Sequence, residues 1–150
     1  MPYIQTLDRT RLFYSDGGTG RPLVFVASAW LDSRMWEFQI PYLVDHGFRC
    51  IAYDRRGHGR SDSSWEGYDY DTLADDLGTL VDRLDLRNLT FVSHSAGSGE
   101  IVRYHGAGTD TPVRFTVNLP PDLIAAAVSG VLLHRVTRAS SRAAQRYFYF

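Results

Sequence analysis

Residues 91–100, FVSHSAGSGE, begin as an apolar run and end as a string of small residues around a single serine. A β-strand that stops at a tight turn and re-emerges as a helix reads this way. The apolar part is buried on both faces, and the small residues let the chain reverse without collision. The serine at the apex, Ser95, is then carried at the carboxyl end of a strand. In an open parallel sheet that is where ligands sit. The two positions flanking it at a distance of two, Ser93 and Gly97, must be small, because their side chains would otherwise meet each other and the sheet. The common form of the turn is G-x-S-x-G; here it is S-H-S-A-G.

Working outward, the neighbours alternate in period. Strand-like runs are YIQTL from Tyr3, RLFYS from Arg11, PLVFVA from Pro22, FRCIAY from Phe48 and LTFVS from Leu89. The first two, joined through DRT, predict a hairpin. Asp32 or Ser33 can cap a helix through Met35, Trp36, Phe38, Ile40 and Leu43, ended by Gly47, with Pro41 interrupting the pattern. Leu73, Leu77, Leu80, Val81 and Leu84 share one helical face. Thr72 and Asp75 have the spacing of a capping box at its start, and Asp69, Asp71, Asp75 and Asp76 read as a solvated acidic helix start favoured by the dipole. A further helix runs from the serine turn through Ile101, Val102 and Tyr104. The order hairpin, strand, helix, strand, helix, strand, helix predicts an α/β fold: a mostly parallel sheet with an N-terminal antiparallel hairpin and helices on both faces.

Length and composition set the frame. The chain has 150 residues, 44% hydrophobic and 22% charged, which suits one globular core. A formal net charge of −1 gives no field to recruit nucleic acid or an anionic membrane. Cys50 is the single cysteine and reads as a small buried residue. The N-terminus shows no basic segment followed by an apolar one, and the longest apolar run, LIAAAVSGVLL, is too short to span a bilayer. The cytoplasm is the expected location. From about Thr109 the character changes. A strand is expected between Val113 and Leu119, and the remainder carries four arginines against Asp122 and ends in RYFYF. The division expected is a core over 1–108 and a divergent tail over 109–150.

The stretches VFVASAWLDSRMWEFQIPYL, HGFRCIAYDRRGHGRSD and DYDTLADDLGTLVDRLDLRNLTFVSHSAGSGEIVRY together resemble the α/β-hydrolase fold. More narrowly they resemble its cofactor-free bacterial haloperoxidase (perhydrolase) and aryl esterase branch, from about residue 8 to about residue 108. The resemblance implies that Ser95 is an acyl-accepting nucleophile and that the backbone N–H groups of Ala96 and Trp30 bind the oxyanion. It implies no cofactor and no metal, and a small-molecule ester or carboxylate as substrate. Relatives carry His-Gly before the aromatic residue where this chain has Ser28 and Ala29, and alanine restricts φ and ψ relative to glycine.

The same resemblance places an Asp and then a His, the acid and base, late in the chain beyond a cap segment. Neither has a matching position here. The order Ser95, Asp110 or Asp122, His134 repeats the family's, at a spacing too short for the intervening strands and cap. His94 neighbours the serine but points to the opposite face of an extended segment. His58 supports its loop, in which Arg55 and Arg56 read as anchors pairing with Asp54 or Asp62; His46 and His105 read as surface residues near helix ends. The expectation is therefore weak or absent serine-type acyl transfer. The alternative is a catalytically dead, truncated or frame-shifted fragment with a binding or assembly role. A sheet cut on one side also predicts self-association through its exposed edge.

Overall fold

The computed structural model describes residues 2–108 and the backbone of two further strands, 114–117 and 134–135. Seven strands among them form one sheet, in the order β1-β2-β4-β3-β5-β6-β7. They are β1 (Tyr3–Gln5), β2 (Arg11–Gly17), β3 (Arg21–Val26), β4 (Phe48–Tyr53), β5 (Thr90–Ser93), β6 (Arg114–Val117) and β7 (His134–Arg135). The expected hairpin is β1 and β2, antiparallel, with β2 continuing antiparallel onto β4. β4, β3, β5 and β6 are mutually parallel. β6 lies within the stretch expected to hold a further strand and pairs with β5, so part of the expected tail joins the core sheet. β7 returns antiparallel beyond it.

The helices are α1 (Gln39–Asp45), α2 (Tyr70–Arg83) and α3 (Ala96–Gly106). Strand alternation divides the core between two faces. On one face Val24, Val26, Ile51, Tyr53 and Phe91 meet Ala74, Leu77, Leu80 and Val81 of α2 and Ile101 and Tyr104 of α3. On the other, Leu23, Phe25, Cys50, Ala52 and Val92 meet Trp36 and Leu43. Leu23 through Val26, four consecutive residues, are wholly buried, as a central strand covered on both sides requires.

Three local expectations are corrected. The first helix is split into a 3₁₀ turn, Ser33–Trp36, capped by Asp32, and then α1. Pro41 is the cause. Without an N–H it fits only in a helix's first turn, and it is the third residue of α1. The cap of α2 is Asp69, not Thr72: its carboxylate accepts from Thr72 N at 2.9 Å and from the Thr72 hydroxyl at 2.9 Å. Asp76 is not part of a solvated acidic start. It is buried and takes two hydrogen bonds from Arg56, at 2.7 and 2.8 Å. Arg56 also reaches Asp8 at 2.9 Å, so one guanidinium ties α2 to the β1–β2 turn.

Cys50 is 1% exposed, and burial pushes its thiol up to about 12. A disulfide-exchange reagent at about pH 8 acts on thiolates. It should titrate no thiol in the folded protein and the one thiol after unfolding in denaturant. Rapid reaction of the native protein would show that the β3–β4 side of the sheet opens.

Candidate functional site

The site forms where the strand connections diverge. β3 leads through α1 to β4 on one side, and β5 leads through α3 to β6 on the other. β3 and β5 are parallel neighbours, with Val26 opposite Ser93. Their carboxyl ends therefore open a crevice between the loop after β3 and the turn after β5, the place where open α/β sheets bind ligands.

Ser95 occupies the apex of that turn with φ 52° and ψ −121°, a backbone conformation that favours glycine, and it is exposed. β5 ends at Ser93 and α3 begins at Ala96, so only His94 and Ser95 make the reversal. His94 is exposed as well. The space around the turn explains the small residues. A Cβ on Gly97 would stand 2.7 Å from the carbonyl oxygens of both Val26 and Ala27. Ser93 is accommodated by a contact of its hydroxyl with that of Ser98, at 3.1 Å in a buried setting. As the first residue of α3, Ala96 carries an N–H that the helix itself cannot use, at the end where the helix dipole favours negative charge.

The second expected donor, the Trp30 amide, lies on the loop after β3. Trp30 has φ 65° and its side chain is 91% exposed. The positive φ falls on Trp30 itself and not on Ala29, so the alanine that replaces the relatives' glycine adopts no left-handed conformation. The Trp30 N–H donates to His58 Nε2 at 3.3 Å. The other ring nitrogen of His58, Nδ1, lies 2.9 Å from the Arg56 carbonyl oxygen, which can only accept. These two contacts select the Nδ1–H tautomer.

His58 is one of three holds that the loop after β4 places on the loop after β3. Asp54, fully buried, accepts from Ser33 N at 2.8 Å and from Arg60 N at 2.8 Å. Arg55 donates to the Ala27 carbonyl oxygen at 2.9 Å. Sequence reasoning paired Arg55 and Arg56 with Asp54 or Asp62. The observed partners are Glu100 for Arg55 and Asp76 with Asp8 for Arg56, while Asp62 takes Arg11. Glu100 was missed. Its signal was an acidic residue in the otherwise uncharged stretch 91–102, on a helix turn next to the sheet.

A cavity of about 720 Å³ opens beside the elbow, lined among others by Trp30, Arg55, His58, Tyr68, Tyr70 and Ala96. Its walls are chiefly apolar, with three aromatic rings and a few polar groups, the composition of a small-molecule site. The late candidates Asp110 and Asp122 lie outside the described residues, and His134 is described in its backbone alone.

The strained turn makes opposed stability predictions. Ser95→Gly should stabilise the fold by about 1 kcal/mol, since left-handed strain at a non-glycine residue costs about that much. Gly97→Ala should destabilise it by about 1–3 kcal/mol through overpacking against two carbonyls. Denaturation midpoints check both, and equal midpoints for the two variants would contradict the elbow geometry.

Known proteins share this outline. Residues 17–129 match the family described as alpha/beta hydrolase fold. That match continues past residue 108, where the motif resemblance was expected to end. The non-heme chloroperoxidase CPO-A1 of Kitasatospora aureofaciens is 46% identical over 127 residues, 83% of this chain and 46% of that protein. The bifunctional esterase/perhydrolase DCH of Acinetobacter calcoaceticus is 39% identical over 115 residues, 75% of this chain and 42% of that protein. Among solved structures, an esterase from Exiguobacterium antarcticum superposes with a TM-score of 0.75 at 28% identity, covering 85% of this chain and 54% of that one. A bromoperoxidase from Bacillus anthracis gives a TM-score of 0.68 at 45% identity, covering 72% and 40%. The chain spans about half the length of the curated relatives it matches. By sequence and by structure alike, it belongs to the alpha/beta hydrolase fold family.

Proposed function

We propose that the chain carries the nucleophile half of a serine acyl-transfer site. The supporting observation is Ser95: exposed, held at φ 52° on the turn between β5 and α3, directly before Ala96, whose N–H opens a helix and has no acceptor within it. The substrate class is a small carboxylic ester, received beside Ala96 in the cavity.

In the reaction, the Ser95 hydroxyl attacks the ester carbonyl carbon. The oxyanion of the tetrahedral intermediate accepts from the Ala96 N–H, and from the Trp30 N–H when the latter exchanges His58 for the ligand. The acyl–oxygen bond then breaks, and the serine proton leaves with the alcohol. Water adds to the acyl-enzyme, releasing the carboxylic acid and restoring the serine. Hydrogen peroxide in place of water gives the peracid by the same steps, the chemistry suggested by relatives named perhydrolase or haloperoxidase. None of these steps draws on a cofactor. Each donor contributes: loss of one oxyanion amide in a well-studied hydrolase costs ~10²–10³ in kcat. The acid and base follow the serine in chain order in this fold. With Asp110, Asp122 and His134 the candidates on this chain, we expect turnover to be slow.

A fluorophosphonate probe, which mimics the tetrahedral intermediate, tests the serine apart from turnover. Covalent labelling at Ser95 is expected, together with slow release of p-nitrophenol from p-nitrophenyl acetate, both lost in Ser95→Ala. Folded protein that takes no Ser95-dependent label overturns the proposal and favours a scaffold role.

A further inference from the structure

Beneath the elbow lies an ion pair that the reaction just described does not use. Glu100 is fully buried on α3, one helical turn after Ala96 and on the same face. Arg55, 7% exposed, donates to its Oε2 from Nε at 3.1 Å and approaches it with Nη2 at 3.0 Å. The Tyr53 hydroxyl donates to the other carboxylate oxygen. The same Nη2 of Arg55 donates to the carbonyl oxygen of Ala27, the first residue beyond β3, at 2.9 Å. One guanidinium thus joins the helix that begins with Ala96 to the loop that carries Trp30.

We infer that Arg55 and Glu100 are positioning residues that fix the distance between the two oxyanion amides, Ala96 on α3 and Trp30 on the loop after β3. The inference rests on the proposed reading of Ser95. The arrangement suits the task. A planar guanidinium holds a carboxylate and a carbonyl at fixed angles, which a lysine, with one point charge on a flexible stem, does not. It also suits an orienting role better than a stabilising one. Burial pushes the Glu100 carboxyl well up and the Arg55 guanidinium down, so both charges stand at a cost in this environment. A well-packed apolar pair of similar volume is often as stable as a buried ion pair, or more so. Apolar side chains cannot grip the Ala27 carbonyl.

The test separates orientation from stability. The variant Arg55→Met/Glu100→Leu, carried with Tyr53→Phe so that no buried hydroxyl loses its acceptor, should melt at or above the wild-type temperature in the full chain. Its amide hydrogen exchange over residues 27–30 should rise, while α2 is unchanged. Its rate of fluorophosphonate labelling should fall about tenfold or more, as for a misplaced oxyanion donor. If packing defeats that variant, Glu100→Gln keeps the shape and removes the charge–charge attraction, and Arg55→Lys reaches only one of the two acceptors. Both should show faster exchange over 27–30 than wild type. A folded variant whose exchange over 27–30 and labelling rate both match wild type overturns the inference. Should wild type itself take no label, the Ser95 reading fails, and the exchange measurement alone decides whether Arg55 holds the loop.

Discussion

The first turn of α3 lies against the end of β3 with no room for a side chain. A methyl group at residue 97 would meet two carbonyl oxygens at 2.7 Å, those of Val26 and Ala27. Close approach at this point has several consequences. It brings a helix N-terminus beside the loop that leaves β3, so amides from two strands can face one space. It also forces the reversal after Ser93 into two residues, which puts Ser95 in a left-handed conformation. The cavity opens beside that contact, with Ala96 and Trp30 in its wall. Elsewhere in the sheet a volume change of one methyl could be absorbed by side chains. Here the opposing atoms are backbone, which cannot yield without moving a central strand.

Polar groups do what apolar packing cannot do around this contact. The loop after β4 supplies three consecutive charged residues, and each is committed to a different segment. Asp54 holds Ser33, Arg55 holds Ala27 and Glu100, and Arg56 holds Asp76 and Asp8. A connecting segment with no regular structure is thereby tied to three other parts of the fold. Its glycines are part of the fit. Gly59, at φ 53°, approaches so closely that a Cβ would fall 2.3 Å from an Asp54 carboxylate oxygen. The block DRRGHGRSD is thus a set of anchors, with glycine where the chain passes near them.

The sequence carried much of this openly, and what it hid follows a pattern. Periodicity located five strands and the apolar face of α2, because burial acts on side chains at fixed intervals. The serine turn was legible because its small residues leave few other foldings. Partners of the arginines were not legible, since Arg55 meets a residue 45 positions away and Arg56 one 20 positions away. Nothing in local spacing chooses Glu100 over Asp54. The cap of α2 was misassigned by three residues because two acidic–threonine spacings compete. Extended backbone at Asp69, with ψ 158°, decides between them, and dihedrals are not written in composition. The break before α1 was visible as Pro41, though not its resolution into a 3₁₀ turn and a new helix.

Positive φ at non-glycine residues has two distinct origins in this fold. Arg9, Asp85 and Asn88 sit in tight connections, the β1–β2 turn and the link from α2 to β5, where the chain reverses over a few residues. Trp30 and Ser95 have no such excuse of brevity in common. They belong to different loops, at the ends of the two neighbouring strands that frame the crevice. Each is held by contacts that do not depend on its own side chain. For Trp30 these are the His58 ring on its amide and the anchors at Ala27 and Ser33. For Ser95 it is the seating of Gly97 on β3. Strain persists only where the surroundings over-determine it, and it collects where a group must be presented in an unfavourable direction. The side chains at both positions are directed outward from rigid backbone, one as a large aromatic surface and the other as a hydroxyl. The presence of strain at this pair, at the ends of the two strands that frame the crevice, is a physical argument for function that stands apart from any likeness of sequence.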